Sequence, residues 1–251
     1  MGYILHPSIT LPSSPRIADI ATGTARFLVR IHSSVPDDAK LEGFDISSDL
    51  FPPKSELPSN ITLGIGDAKQ PFPEEMYGKY DLVHVRLLVA AMNPEDWDVT
   101  VRNLVPLLKP GGYLQWEECE FINGVHKNDN PGGRFETTKY MCDFLAAALH
   151  DRFQHGWNTL PGIMREAKLD PVLTDVASSA RVPEARAAMT TAIVNLTFTW
   201  AQQRAKAGTP IEFPGKMTSL DEVEKAVHDE IQSGCYFDFN IHIACGRKPV
   251  A

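Results

Sequence analysis

Three aspartates, Asp19, Asp45 and Asp67, stand at the ends of short apolar runs, each followed by small or polar residues. An ionised carboxylate only accepts hydrogen bonds, so acids at strand ends point to a ligand that brings hydroxyl, amine or amide donors. The first lies in Arg16-Ile-Ala-Asp-Ile-Ala-Thr-Gly-Thr-Ala-Arg-Phe27, an apolar strand followed by the turn Ala21-Thr22-Gly23-Thr24-Ala25 and a helix-like run. Strand, tight turn and helix in that order bring the backbone against a ligand at a helix N-terminus. Because Asp19 opens the turn, the expected ligand carries an amine beside anionic or polar groups. That fits an amino-acid-bearing nucleoside better than a pyrophosphate. Asp45 comes 26 positions after Asp19, where its carboxylate can accept both hydroxyls of a neutral ribose. Asp67 and Ala68 suit an adenine, the side chain accepting from the amine and the backbone donating to a ring nitrogen. Neither Gly-x-Gly-x-x-Gly nor Gly-Lys-Ser/Thr is present, which speaks against dinucleotide and P-loop sites.

These acids need strands and helices to hold them. Arg16–Ile20, Leu41–Asp45, Ile61–Ile65, Tyr80–Val85 and Gly112–Trp116 read as five strands, with helices expected over Ala25–Ile31 and Pro94–Leu108. In the second of these helices Trp97, Val101, Leu104, Val105 and Leu108 share one face. Lys109-Pro-Gly-Gly then stops the helix and turns the chain. Strands alternating with helices through short turns predict a parallel sheet covered on both faces. Beyond it, Asn123–Gly133 reads as a polar loop, with helices over Phe135–His150 and Gly156–Lys168. Pro171–Val182 reads as a strand, and Pro183–Lys206 as a helix with Gly208 past its end. Ser219-Leu-Asp-Glu222 opens a further helix with a capping box. Phe237–Cys245 alternates apolar and polar residues and reads as a last strand.

The composition narrows the function. The chain of 251 residues carries 24 basic against 32 acidic residues and no basic run, which argues against a nucleic-acid partner. It contains no apolar stretch long enough to cross a membrane, and the Met-Gly-Tyr-Ile-Leu-His-Pro start lacks a signal-peptide pattern. Cys119, Cys142, Cys235 and Cys245 form no Cys-x-x-Cys pair and read as reduced, buried residues of a cytoplasmic protein. The histidines are scattered, so no metal site is expected.

With these motifs in place, the chain resembles the class I S-adenosylmethionine-dependent methyltransferases, and among them the fungal enzymes of secondary metabolism. The matching stretches are Gly2-Tyr-Ile-Leu-His-Pro-Ser-Ile9, Ala18–Thr24, Gly43-Phe-Asp-Ile-Ser47, Tyr80–Arg86, Leu107–Trp116, Gly156-Trp-Asn158 and Gly246-Arg-Lys-Pro249. His-Pro-Ser-Ile and Gly-Trp-Asn are the narrower of these. The resemblance implies a Rossmann-like seven-stranded sheet, mostly parallel with an antiparallel last strand. It also implies a single domain over residues 1–251 with a helical lid around 130–210. The implied cofactor is S-adenosylmethionine, held by Asp19, Ala21, Thr22, Gly23, Asp45, Ile46, Asp67, Ala68 and Arg86. The implied reaction is methyl transfer to an oxygen or nitrogen of a small-molecule acceptor, with a homodimer as the candidate assembly. Glu118 and His84 lead the candidates for a base, ahead of Glu117, His126 and His155. Trp116, Phe153 and Trp157 have two readings, an aromatic wall and plain core, and aromatics at such spacing are more often core.

Three departures from the family pattern stand out. The pattern Asp-x-Gly-x-Gly-x-Gly keeps only Gly23, with Ala21 and Ala25 at the outer positions. Alanine tolerates a positive φ poorly, so a working transfer site is expected to hold both alanines at negative φ. Lys168 occupies a position where the family has glycine. The stretch before His-Pro-Ser-Ile, where relatives carry helices that help close the cofactor pocket, is short. These departures leave a second reading, a methyltransferase fold that serves as a cyclase, binding scaffold or regulatory subunit.

Overall fold

The computed structural model describes residues 2–250. Its seven strands are β1 (Arg16–Ile20), β2 (Lys40–Asp45), β3 (Ile61–Ile65), β4 (Tyr80–Arg86), β5 (Leu108–Asn128), β6 (Val172–Ser178) and β7 (Cys235–Arg247). They form one sheet in the order β3-β2-β1-β4-β5-β7-β6. The pairs β1–β2, β2–β3, β1–β4 and β4–β5 are parallel, and the last strands are antiparallel. The order reverses beside β1, and in open α/β sheets ligands bind at the carboxyl ends of the strands at such a switch point.

The helices are α1 (Arg26–His32), α2 (Asp96–Leu104), α3 (Glu136–Ala148), α4 (His150–Phe153), α5 (Leu160–Glu166), α6 (Arg186–Lys206) and α7 (Leu220–Gln232). The chain divides into two compact units, one holding residues up to Glu118, His155–Val176 and residues from His242 on, the other Cys119–Gln154 and Ala177–Ile241. The span 130–210 expected to form a lid therefore belongs mostly to the second unit, but its residues 155–176 belong to the first.

In the first unit, Phe27, Leu28 and Ile31 of α1 pack on Ile17, Leu41, Ile61 and Leu82 of the sheet, joined by Ile4, Leu5, Ile9 and Leu11. The period-3.6 face of the helix thus meets the period-2 face of parallel strands. Gly156 of the Gly-Trp-Asn motif has φ 86, and a Cβ there would lie 2.4 Å from the Trp97 ring of α2. Only glycine permits that approach. In the second unit, Met141, Cys142, Val194, Phe198, Val223, Val227 and Ile231 of α3, α6 and α7 bury against Phe237 and Phe239 of β7.

Several boundaries differ from expectation. β5 runs to Asn128 rather than ending at Trp116, so much of the expected polar loop is strand. Its polar residues are accommodated by partners on β7, with Lys127 Nζ 2.7 Å from Asp238 Oδ2 and Glu120 Oε2 accepting from Asn240 at 3.0 Å. The helix expected from Pro183 starts at Arg186 after a 3-10 turn, and the strand expected over Pro171–Val182 shrinks to β6. The Ser219 cap holds, its hydroxyl accepting from the Glu222 amide at 3.3 Å. Lys168 takes the left-handed conformation, φ 68, at the end of α5. Lys168 N–H donates to Arg165 C=O and Leu169 N–H to Met164 C=O, the bond pair of a Schellman motif in which glycine is usual.

The turn after β1 overturns one expectation. Ala21 (φ 57), Gly23 (φ 52) and Ala25 (φ 56) are all left-handed. The family's alternating glycines thus correspond to three left-handed positions, and this chain meets two of them with alanine. The turn takes this alternating conformation despite a Cβ clash of about 1–2 kcal/mol per residue. Ala21→Gly should therefore stabilise the protein by about 1 kcal/mol, read as a higher urea midpoint at unchanged slope. Ala25→Gly should gain less, because the Ala25 methyl is fully buried.

Candidate functional site

The turn between β1 and α1 is fastened on both sides by acids. Asp19 is 2% exposed and makes its contacts inside the protein. Its Oδ2 accepts the Thr22 hydroxyl at 2.6 Å and its Oδ1 lies 2.7 Å from His84 Nδ1. Thr22 N–H donates to Phe44 C=O at 3.0 Å, and Gly23 N–H to Asp45 Oδ2 at 2.8 Å. A Cβ on Gly43 would meet the Thr22 side chain at 2.9 Å, so this glycine is what lets β2 approach the turn. Asp19 is thus placed to hold the turn from beneath, and Asp45 stands beside it at the surface.

Asp45 keeps acceptor capacity for a ligand, since its Oδ1 receives only a long 3.4 Å contact from Ser47 N–H. Around the same strand ends lie exposed apolar side chains, Ile46 at 69%, Ile65 at 64% and Leu87 at 54% exposure. Exposed apolar residues beside acceptors are what a nucleoside needs, a flat base to cover and a sugar to bond. Gly23 is open, the nearest atom to its missing Cβ being Leu50 Cδ1 at 4.0 Å. Asp67 uses Oδ1 to accept from Lys69 N–H at 2.9 Å, and the Asn103 amide donates to Ala68 C=O at 3.1 Å. Both bonds stiffen the loop after β3. Leu87, just past β4, has φ 60, a strained conformation of the kind that collects at functional sites.

His84 is fully buried and stacks on Phe27, ring centroids 3.5 Å apart. Its Nε2 lies 3.7 Å from Glu117 Oε1. Burial opposes the imidazolium, but the hydrogen bond to Asp19 and the two neighbouring carboxylates outweigh it, and the His84 pKa is raised above the ordinary histidine value. Glu117 moves the other way. Its burial would raise its pKa, but bonding to His84 and Gln115 and the nearby Arg86 charge hold it below the usual carboxylate range. Arg86 ends β4 opposite Glu117 in register and is half-buried. Glu118 faces away from this row. Fully buried, it accepts from Leu88 N–H (2.8 Å), Val89 N–H (3.2 Å) and the Trp116 indole (2.8 Å), tying the segment after β4 to β5.

Of the three aromatics weighed for a wall, Trp116 packs on Trp97, Phe153 on Phe121 and Trp157 on His242. His126 stacks on Phe237 in the second unit, and burial lowers its pKa to about 4. His155 lies in the turn after α4. Among the described residues, no group of three or more His, Cys, Asp or Glu could hold a metal ion, and no helix is long and apolar enough to cross a membrane. Sequence reasoning did not pick out Gln115, whose Nε2 donates to Glu117 Oε1 at 2.9 Å and whose Oε1 accepts His6 N–H at 2.8 Å. The alternation Gln115-x-Glu117 placed both on one strand face, but only the register with β4 reveals what they meet.

The buried His84 has a consequence for stability. Its pKa is raised on folding, so its contribution is complete below the ordinary value of about 6.5 and is lost as pH rises through the folded value. The urea midpoint of the wild type should fall across that rise, and His84→Gln should flatten the profile. Parallel profiles for the two proteins would exclude His84 as the source.

Comparison with known proteins agrees with this architecture. Residues 17–112 match a family model described as a methyltransferase domain. Methyltransferase grgD of Penicillium sp is 39% identical over 124 residues, which are 47% of this chain and 43% of that protein. The chain thus spans less than half the length of that relative. N-methyltransferase sirN of Leptosphaeria maculans is 30% identical over 220 residues, 83% of this chain and 72% of that protein. Among solved structures, phosphoethanolamine N-methyltransferase 2 of Haemonchus contortus with S-adenosyl-L-methionine shares the fold, with a TM-score of 0.54, 13% identity, and coverage of 96% of this chain and 50% of that one. The left-handed turn after β1, the strand-end acids and the extended match to sirN together assign the chain to the class I S-adenosylmethionine-dependent methyltransferase family.

Proposed function

We propose that this chain binds S-adenosylmethionine at the ends of β1, β2 and β3 and transfers its methyl group to a nitrogen of a small secondary metabolite. The observation that carries the reading is the pairing of Gly23 N–H with Asp45 Oδ2 beside exposed Ile46. In this reading Asp45 accepts the ribose hydroxyls, Ile46 covers the base, and Asp67 with Ala68 holds the adenine edge. Thr22 and Gly23 present backbone to the amino-acid portion, and Arg86 supplies positive charge nearby. When bound, S-adenosylmethionine supplies a sulfonium methyl group that is open to displacement. Holding the reactants in line accounts for much of the acceleration in such a reaction. Nitrogen is favoured over oxygen because sirN is named an N-methyltransferase. An amine acceptor attacks with its own lone pair, so no strong base is required. That agrees with His84 and Glu118 being fully buried and bonded within the protein, and we assign both to positioning rather than to proton abstraction.

Calorimetry with S-adenosylhomocysteine tests the cofactor site. Asp45→Ala should lose about 1.5–3 kcal/mol of binding, the range for hydrogen bonds to a charged group. Equal affinity in a folded variant removes Asp45 from the site. Asp67→Asn should weaken adenosine-based ligands more than analogues lacking the exocyclic amine, and equal weakening of both would refute the adenine assignment. Incubation with fungal amines and phenols, read as the mass gain of one methyl group, separates nitrogen from oxygen transfer. Cofactor binding without turnover of any acceptor would favour the scaffold or regulatory reading, to which the strained Ala21 and Ala25 lend support.

A further inference from the structure

The family-specific segment at the start of the chain has no role in the site described so far. A buried polar row nevertheless leads from it to the turn after β1. Ile4 C=O accepts from Gln115 Nε2 at 3.1 Å, and His6 N–H donates to Gln115 Oε1 at 2.8 Å. Gln115 donates to Glu117, Glu117 lies against His84, and His84 bonds Asp19. Asp19 holds the Thr22 hydroxyl, and the next residue, Gly23, donates its amide to Asp45. The start of the segment is anchored as well, with Tyr3 OH donating to Asp175 and His6 Nε2 3.4 Å from the same carboxylate. Asp19, His84 and Gln115 are each at most 2% exposed and Glu117 is 9% exposed, so water cannot substitute for a missing partner.

The charges in this row are unequal. Asp19 and Glu117 are two buried carboxylates facing His84, whose single positive charge offsets one of the two, while Arg86 also acts on Glu117. The other groups facing His84 are Phe27 from α1, Gln115 from β5 and Arg86 from its own strand. Tyr3, from the initial segment, also feels the Glu117 charge. A neutral imidazole can still donate from Nδ1 to Asp19, but it withdraws the positive charge that faces the two buried carboxylates, which is costly in a buried site. The Asp19 carboxylate would then relax, and with it the hydroxyl that fastens Thr22.

We propose that His84, protonated and clamped between Asp19 and Glu117, is a positioning residue for the cofactor turn, and that the Tyr3–His6 segment locks the far end of this row through Gln115. The proposal rests on the cofactor reading above. It makes cofactor affinity depend on the protonation of a residue that does not touch the cofactor, and on a segment at the other end of the row. The raised His84 pKa agrees with the imidazolium form.

The test is S-adenosylhomocysteine affinity by calorimetry against pH, with the His84 imidazole followed by NMR in the same samples. In the wild type, binding should weaken as pH rises through the titration of His84. His84→Gln should bind about tenfold more weakly at low pH, where the charge matters most, and lose the pH dependence. Glu117→Gln should move both the NMR titration and the loss of affinity to lower pH together. Gln115→Leu should weaken binding several-fold with the His84 titration still visible. A wild-type protein that does not bind the ligand at any pH overturns the cofactor reading and this inference with it. Wild-type binding with the same pH profile in Glu117→Gln overturns this inference alone, and the cofactor reading stands. Should His84→Gln fail to fold, Glu117→Gln and Gln115→Leu carry the decision.

Discussion

The arrangement around the turn after β1 depends on one buried carboxylate. Asp19 is almost wholly removed from water, and both its oxygens are engaged, one by the Thr22 hydroxyl and one by His84. A carboxylate in that position is tolerable only if it is hydrogen-bonded and charge-compensated. The requirement explains why the neighbouring strands carry polar residues on the face that packs under α1: His84 on β4, then Gln115 and Glu117 on β5. It also explains why Phe27 stacks flat against the imidazole, since an aromatic face fills the space beside the ring without adding another group to satisfy. Hydrophobic burial of Ile17, Leu28 and Leu82 supplies the driving force. The polar row sets which way the turn faces.

The turn itself is a compromise between geometry and sequence. Left-handed backbone at alternate positions leads into α1, which has no side-chain cap of its own. Glycine meets that demand without steric cost, whereas Ala21 and Ala25 meet it against a clash. Such conformations persist where the surroundings over-determine them. Here the Asp19–Thr22 and Asp45–Gly23 bonds clamp the turn from either side, and Ala25 contributes a fully buried methyl in return.

The second unit solves a similar problem with different means. The first turn of α3 has Phe135 before it and no local cap. Its Thr137 and Thr138 amides are instead taken by the buried Glu230 carboxylate of α7, at 3.0 and 2.8 Å. An anion at a helix N-terminus is favoured by the helix dipole as well as by the bonds. One side chain therefore both caps α3 and fixes α7 beside it, within a cluster otherwise held by apolar contacts.

Local chemistry in the sequence was enough for much of this. The alternation of apolar strands with helices defined the parallel half of the sheet, and Ser219 marked the start of α7, but Lys109-Pro-Gly-Gly, read as a stop and turn, lies within β5. These signals are local, set by side-chain periodicity and by the backbone preferences of a few residues. The left-handed φ of Ala21 and Ala25 was not legible, because alanine by its nature argues for the opposite. Nor was the length of β5, since residues such as Asn123 and Lys127 look like loop until β7 offers Asp238 to Lys127 and Asn240 to Glu120. Asp19, His84, Gln115 and Glu117 are separated by up to 98 positions in the chain, and only the pairing of β1, β4 and β5 brings them into one row. Types and spacing picked out the acids at the strand ends. Strand register and burial decided which acid holds the turn from within and which remains beside it with acceptor capacity to spare.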